Sequence, residues 1–324
     1  LSSTRTLTSQ KYIRYYTSEV GVPYNQASST AISMKLYYGP NSFTILKKEG
    51  LELDKLVFLG KNIIGWINRF AIIPIFNWLN HFISNFGLII LILTIIIKVV
   101  LFPLTFKSYQ SQAKMQVLKP MVEELGKKFP KKEDAMKKQQ STMDLYKRAG
   151  VNPMGGCLPM VLQMPILFAM FRFFPVSIEL RQEHFLWATD LSTYDSILTL
   201  PFTIPMYGNH VSLFTLLMTA STLLTMKMTG SSPGSDQPGM KLMMYMMPVM
   251  FMVILNNFSS GLTYYYFLAN MITYGQNILS KRFINADAVL ATLEENKKKP
   301  LKKSKWAQRL EAAAKQRGIN PQKR

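Results

Sequence analysis

Cysteine is nearly absent from this sequence: Cys157 is the sole one in 324 residues. No intrachain disulfide framework can be built, and with three histidines in all (His81, His184 and His210) a Cys/His zinc site of ordinary ligand spacing cannot be assembled. Acidic residues are scarce too, 18 Asp+Glu against 38 Lys+Arg, which leaves a net charge of +20. They avoid the long apolar stretches, so no carboxylate pair lies there to relay protons. There is no G-x-S-x-G elbow, H-E-x-x-H helix, Walker loop or G-x-G-x-x-G turn. Hydrolases, metalloproteases, ATPases and proton-coupled pumps all lose their expected chemistry. The expectation is a protein with no cofactor, no metal and no covalent catalysis.

What the sequence has instead is apolar residues in blocks. Hydrophobic residues make up 48% of the chain, segregated from the charges, as in a membrane protein with soluble appendages. Residues 87–106, GLIILILTIIIKVVLFPLTF, carry one charge over a length that crosses a hydrocarbon core of about 30 Å. Further spans are expected at 153–178, 211–228, 242–258 and 261–280, five in total. Pro103, Pro159, Pro165 and Pro248 fall inside them and predict kinked helices whose freed carbonyls find other partners. Eleven Lys/Arg lie in 107–150 and a single one, Arg181, in 179–210, which places the first connection in the cytoplasm and the second outside. By parity the N-terminal segment is then outside and the tail from Lys281, with thirteen Lys/Arg to four acids, inside. The sequence opens on Leu1 rather than a start methionine, and the expectation is a chain trimmed of a first membrane anchor.

Outside the spans, SMKLYYGPNSFTILKK reads as two strands about the turn Gly39-Pro40-Asn41-Ser42, the end of an extracytoplasmic β domain over 1–56. Residues 57–84 place Ile63, Ile67, Phe70, Trp78, Phe82 and Ile83 near helical spacing beside Asn62, Asn68, Arg69, Asn77 and Asn80. This predicts an amphipathic helix lying on the outer surface and broken at Pro74, the alternative being a sixth buried helix. Residues 107–150 read as a mobile helical hairpin turning at Pro130, or as a solvated linker. The tail, 283–324, carries KKKPLKKSK and can bind phosphates of anionic lipids or of ribosomal RNA, or simply anchor the topology.

One charge stands out. Lys98 is twelfth of the twenty residues in 87–106, about 12 Å of helix from Phe106. A cation at that depth costs roughly 2.5 to 3.5 kcal/mol on insertion scales, so it requires water or a partner. The other spans offer no Asp or Glu in their inner parts, whereas Thr94 and Thr105 share its helix face. Gln163, Asn256, Asn257, Asn270, Thr273 and Gln276 add polar groups from elsewhere. Together these predict a hydrophilic groove within the membrane; the alternative is a lysine that snorkels to the inner surface. Sixteen of the 21 methionines fall between Met154 and Met271, where flexible thioethers suit a wall that accepts many apolar sequences, or plain packing.

The segments IIIKVVLFPLTFKSYQSQAKMQVLKP, LYKRAGVNPMGGCLPMVLQMPILFAMFRFF, ELRQEHFLWATDLS and MMPVMFMVILNNFSSGLTYYYFLANMITYGQ resemble the YidC family of bacterial membrane protein insertases, of the Gram-negative type. The resemblance covers residues 60 to about 282. It implies an all-α polytopic protein of the inner membrane: a five-helix core over 85–282 around a positively charged groove, with the end of a periplasmic β domain before it. It further implies nascent membrane proteins as clients, with the Sec translocon, the ribosome (through the hairpin and tail) and anionic lipids as partners. The polar pattern and the resemblance together give Lys98, Thr94, Thr105, Gln163, Tyr266 and Asn270 as the groove residues. Thr94 and Tyr266 match family positions that contact a passing helix, and Lys98 stands where the family usually has arginine. The reading of another class is an anion-selective channel or transporter using Lys98.

Overall fold

In the computed structural model the chain divides between Pro40 and Asn41 into two units. Residues 2–4, 15–17, 19, 21, 34, 36–129, 134–151, 158–229 and 238–297 are described.

In the first unit the described strands are β1 (Ser2–Thr4) and β2 (Tyr15–Thr17), antiparallel with Ser2 opposite Thr17 and Thr4 opposite Tyr15. The strand expected before the Gly39 turn is not there: among described residues of 34–42 none is in a strand, and Met34, Leu36 and Tyr38 are exposed.

The second unit begins with a correction. Residues Phe43–Glu49, predicted as a strand, form a short helix, α1. The tertiary surroundings override the weak local preference. Leu46 is buried, Asn77 donates to Thr44 Oγ1 (2.9 Å), and Ser42 donates to Glu179 (3.0 Å), which fastens the turn before α1 to the chain beyond residue 176.

Residues 62–80 are helical in three pieces: α2 (Asn62–Ile67), a π segment (Asn68–Ile72) and α3 (Ile73–Asn80). Pro74, expected to break the helix, sits instead in the first turn of α3, where its missing N–H costs least, and the π segment just before it absorbs the mismatch. The face assignment also changes. Asn68, read as part of a polar face, is fully buried and donates to the carbonyls of Leu59 (2.8 Å) and Ala169 (3.0 Å). Ile72, Ile73, Phe76 and Leu79 pack inward, while Ile63, Trp66, Phe70, Trp78 and Phe82 form a second apolar stripe facing outward. The segment therefore has two apolar faces.

Helix α4 (Phe86–Val117) is capped by Asn85, whose side chain accepts from Leu88 N, and runs unbroken for 32 residues through Pro103. Among described residues it is the one helix that is both long and apolar enough to cross a membrane. After it come α5 (Lys119–Lys128), α6 (Ala135–Arg148), α7 (Leu158–Val176), α8 (Leu213–Thr229), α9 (Pro238–Leu255) and α10 (Ser260–Arg282). The stretches Val161–Val176, Leu213–Met228 and Leu242–Leu255 are shorter apolar helices. Helix α10 is central, packed most extensively on α8 and α4. At its start α10 also meets α7 and the loop after it closely: a Cβ on Gly261 would come within 3.0 Å of the Phe174 ring and 3.1 Å of the Leu191 carbonyl.

At one end of the bundle α4 leads into the pair α5 and α6. The turn predicted at Pro130 lies outside the described residues. The tail is not merely basic: its first part forms α11 (Ala286–Lys297) and packs against α6 and α4. Met115, Leu118, Tyr146, Ala149, Val151, Val289 and Leu293 make a small buried core there, closed by Asn296 donating to the Arg148 carbonyl (3.0 Å). At the opposite end, strands β3 (Leu198–Ile204) and β4 (Gly208–Val211) form a two-stranded antiparallel sheet between α7 and α8.

Candidate functional site

Lys98 lies on α4 with 7% of its surface exposed. Its Nζ donates to Gln163 Oε1 on α7 (3.1 Å) and to Thr273 Oγ1 on α10 (2.9 Å). Among the described residues no Asp or Glu is a partner of it. An ammonium carries three donors, so two are held by neutral oxygens and one is left. Both acceptors are themselves fixed: Gln163 Nε2 donates to the hydroxyl of fully buried Tyr265 (3.2 Å), and Thr273 Oγ1 donates to the Ala269 carbonyl one turn earlier (2.8 Å). Gln276 ties the same helices together, donating to the Lys98 carbonyl (3.4 Å) and accepting from the Tyr109 hydroxyl (3.3 Å).

These groups surround a cavity of about 280 Å³, enough for several waters at roughly 30 Å³ each. Lys98, Thr105 and Tyr109 from α4, Gln163 from α7, Thr225 from α8, and Tyr266, Asn270, Thr273 and Gln276 from α10 line it, with apolar Leu101, Pro159, Met226 and Ala269 between them. Polar groups on otherwise apolar helices thus converge on one buried cation.

Of the residues the sequence singles out, Lys98, Thr105, Gln163, Tyr266, Asn270, Thr273 and Gln276 meet at this cavity. Thr94 does not line it: it is fully buried one turn away, its hydroxyl donating to the Ile90 carbonyl (2.6 Å). Asn270 lines the wall but binds sideways, to Thr222 Oγ1 (2.8 Å) and Ser221 Oγ (3.2 Å) on α8.

Asn256 and Asn257 belong elsewhere. Asn256 is fully buried, accepts from Ser212 N (3.0 Å) and donates to the Tyr207 and His210 carbonyls (both 2.9 Å). Asn257 donates to the Met206 and Tyr207 carbonyls. They fasten the β3–β4 turn to the end of α9. Beside them Asp195, 2% exposed, accepts from Trp187 Nε1 (2.8 Å), Leu213 N (2.9 Å), Phe214 N (3.0 Å) and the Ser212 hydroxyl (2.5 Å), and so caps the N-terminus of α8. Sequence reasoning missed this cap, and it missed Tyr109 and Tyr265. Tyr109 was findable, since it continues the Lys98 and Thr105 face at helical spacing beyond the expected end of the span.

The family model described as "60Kd inner membrane protein" matches residues 78–287, which include every residue of this cavity. Curated relatives named "Membrane protein insertase YidC" are similar over nearly the whole chain. The protein of Parabacteroides distasonis is 49% identical over 316 residues, 93% of this chain and 50% of that protein. That of Bacteroides fragilis is 47% identical over 319 residues, 94% of this chain and 51% of that protein, and that of Porphyromonas gingivalis 45% identical over 322 residues, 94% and 51%. The chain spans about half the length of these relatives. A family match over the helices that build the cavity, joined to near-half identity across more than nine tenths of the chain, makes this protein a member of the 60Kd inner membrane protein family, to which YidC belongs.

Proposed function

We propose that the chain is the working core of a membrane protein insertase of the inner membrane, in which α4, α7, α8, α9 and α10 cross the bilayer and the cavity around Lys98 receives the short polar flank of an entering span. The observation that carries the reading is a buried ammonium whose acceptors among the described residues are neutral oxygens, in a space large enough for water. A structural lysine would be matched by a carboxylate or would reach the surface. This one keeps a donor for something that arrives.

An acidic or polar segment entering the cavity exchanges bulk water for the third Nζ donor, the Tyr109 and Tyr266 hydroxyls and the amide of Gln276. The apolar distance that remains is shortened, and the client's own hydrophobic segment then partitions into lipid. That partitioning, together with the membrane potential acting on the flanking charge, supplies the free energy. Nucleotide has no part in it. The α5–α6 pair is the receiving arm on the cytoplasmic side, and the basic tail beyond α11 supplies contacts to anionic lipid and to ribosomal RNA.

The test is protease-protected insertion of a short single-span protein with an acidic N-terminal tail into proteoliposomes holding the wild type, Lys98→Arg or Lys98→Ala. Insertion by wild type and Lys98→Arg but not by Lys98→Ala is the expected pattern. Activity in Lys98→Ala equal to wild type removes the cavity from the mechanism. Saturable anion flux in the absence of any client moves the protein to the channel class.

A further inference from the structure

The β3–β4 hairpin has a pattern that its protein surroundings do not use. Along β3 the sequence alternates Leu198, Leu200, Phe202 and Ile204 with Thr199, Pro201, Thr203 and Pro205, the signature of a strand with one covered face. Yet Leu198, Phe202 and Ile204 are 56%, 60% and 38% exposed. The register shifts between Thr199 and Ile204, so the strand is irregular there; Leu198 and Ile204 flank the shift and Phe202 lies within it. Among the described residues no third strand joins the sheet. A two-stranded ribbon is marginal alone in water, and soluble proteins guard such edges with charge. This one has none: residues 196–226, from the hairpin through most of α8, contain no Asp, Glu, Lys or Arg.

Position identifies what covers it. The strand β4 ends at Val211 and α8 begins at Leu213, so the sheet continues directly into a helix of the bundle. The turn, Met206 and Tyr207, is pinned by Asn256 and Asn257 at the end of α9, so the hairpin lies across the helix ends rather than projecting away. Its unpaired backbone groups forbid the hydrocarbon interior but suit the headgroup boundary, where water remains and apolar side chains reach the acyl chains.

We infer that the β3–β4 hairpin is a lipid-seated element, with Leu198, Phe202 and Ile204 inserted into the boundary of the leaflet opposite α5–α6. The inference rests on the reading that the bundle crosses the bilayer. An uncharged apolar hairpin continuous with a bilayer helix fits a lipid surface better than a protein partner, which would be selected by charge or shape the hairpin lacks.

Nitroxide accessibility in liposomes of phosphatidylethanolamine and phosphatidylglycerol tests it, using the full chain with Cys157→Ser as background. Single labels go on Phe202→Cys, on Val100→Cys, exposed on α4, and on Lys137→Cys, exposed on α6. The expected result is that the label at 202 collides with oxygen several-fold more than with a water-soluble nickel chelate, as at 100, and opposite to 137. A label at 202 that behaves like 137 overturns the inference and leaves the spanning bundle intact. A label at 202 shielded from both reagents replaces lipid by protein as the cover and also overturns it. Aqueous behaviour at 100 overturns the spanning reading itself, and the inference with it.

Discussion

Replacing Gln163 by Leu should destabilise the protein more than removing the charge that Gln163 holds. In Gln163→Leu the Lys98 ammonium keeps a single protein acceptor, Thr273, while the buried Tyr265 hydroxyl loses its amide partner. A hydrogen bond to a charged group is worth about 1.5 to 3 kcal/mol and an orphaned buried polar group costs about 1 to 3, so the combined loss is about 2.5 to 6 kcal/mol. Lys98→Met removes a cation that is costly to bury, leaves Thr273 bonded to the Ala269 carbonyl and leaves Gln163 bonded to Tyr265, for a loss of about 1 kcal/mol. The double variant should then be more stable than Gln163→Leu alone by at least about 1.5 kcal/mol, because the stranded charge is gone. Unfolding in mixed micelles by dodecyl sulfate titration, followed by far-ultraviolet circular dichroism, reads all three. Client insertion separates the roles: Lys98→Met stays folded and inactive. Refutation would be a double variant no more stable than Gln163→Leu, since the ammonium would then not depend on that amide.

Three other outcomes follow from particular contacts. Asp195→Ala strands the Trp187 indole and uncaps α8, a loss of about 3 kcal/mol, visible as red-shifted tryptophan emission and a lower unfolding midpoint, with Trp187→Phe abolishing the spectral change. Leu293→Ala opens the small core between α11, α4 and α6 at a cost of about 2 kcal/mol. Trypsin should then cut at the α5–α6 lysines several-fold faster while the rest of the bundle keeps its resistance. Gly87→Ala drives a methyl into the Phe185 ring and should cost about 1 to 3 kcal/mol by thermal unfolding; Phe185→Leu on the same background should recover part of it.

The helices of the bundle are legible because burial among apolar neighbours needs only long runs with few charges, and the sequence shows these at 87–106 and four later stretches. The central cation is legible because a charge inside such a run has no cheap explanation. What was not legible depends on partners distant in sequence. Asn68 reads as a surface residue until Leu59 and Ala169 present carbonyls to it, and Phe43–Glu49 reads as a strand until the pocket for Leu46 exists. Asn256 and Gln163 are equally polar residues on apolar stretches, yet one fastens a turn and the other holds the ammonium. Spacing cannot separate them, since it records the face of a helix and not the depth at which a neighbour meets it. The same limit explains α11: Val289 and Leu293 are four apart and unremarkable in a basic tail until Tyr146 completes the core.

The length of α4 has a mechanical consequence. At about 1.5 Å per residue its 32 residues make a rod of roughly 48 Å, some 18 Å longer than the hydrocarbon layer is thick. Lys98 and the residues that root the α5–α6 pair, Met115 and Leu118, belong to this rod or its immediate end, with Pro103 between them. A proline in mid-helix leaves one rung of the backbone ladder unmade and is where such a rod yields to bending. The arm and the ammonium therefore hang on one rod, with its proline between them. If the α5–α6 pair takes up a client as proposed above, a pull on it would bend the rod at Pro103, and the tethers of Lys98 to Gln163 and Thr273 would oppose that bend on the far side of the proline.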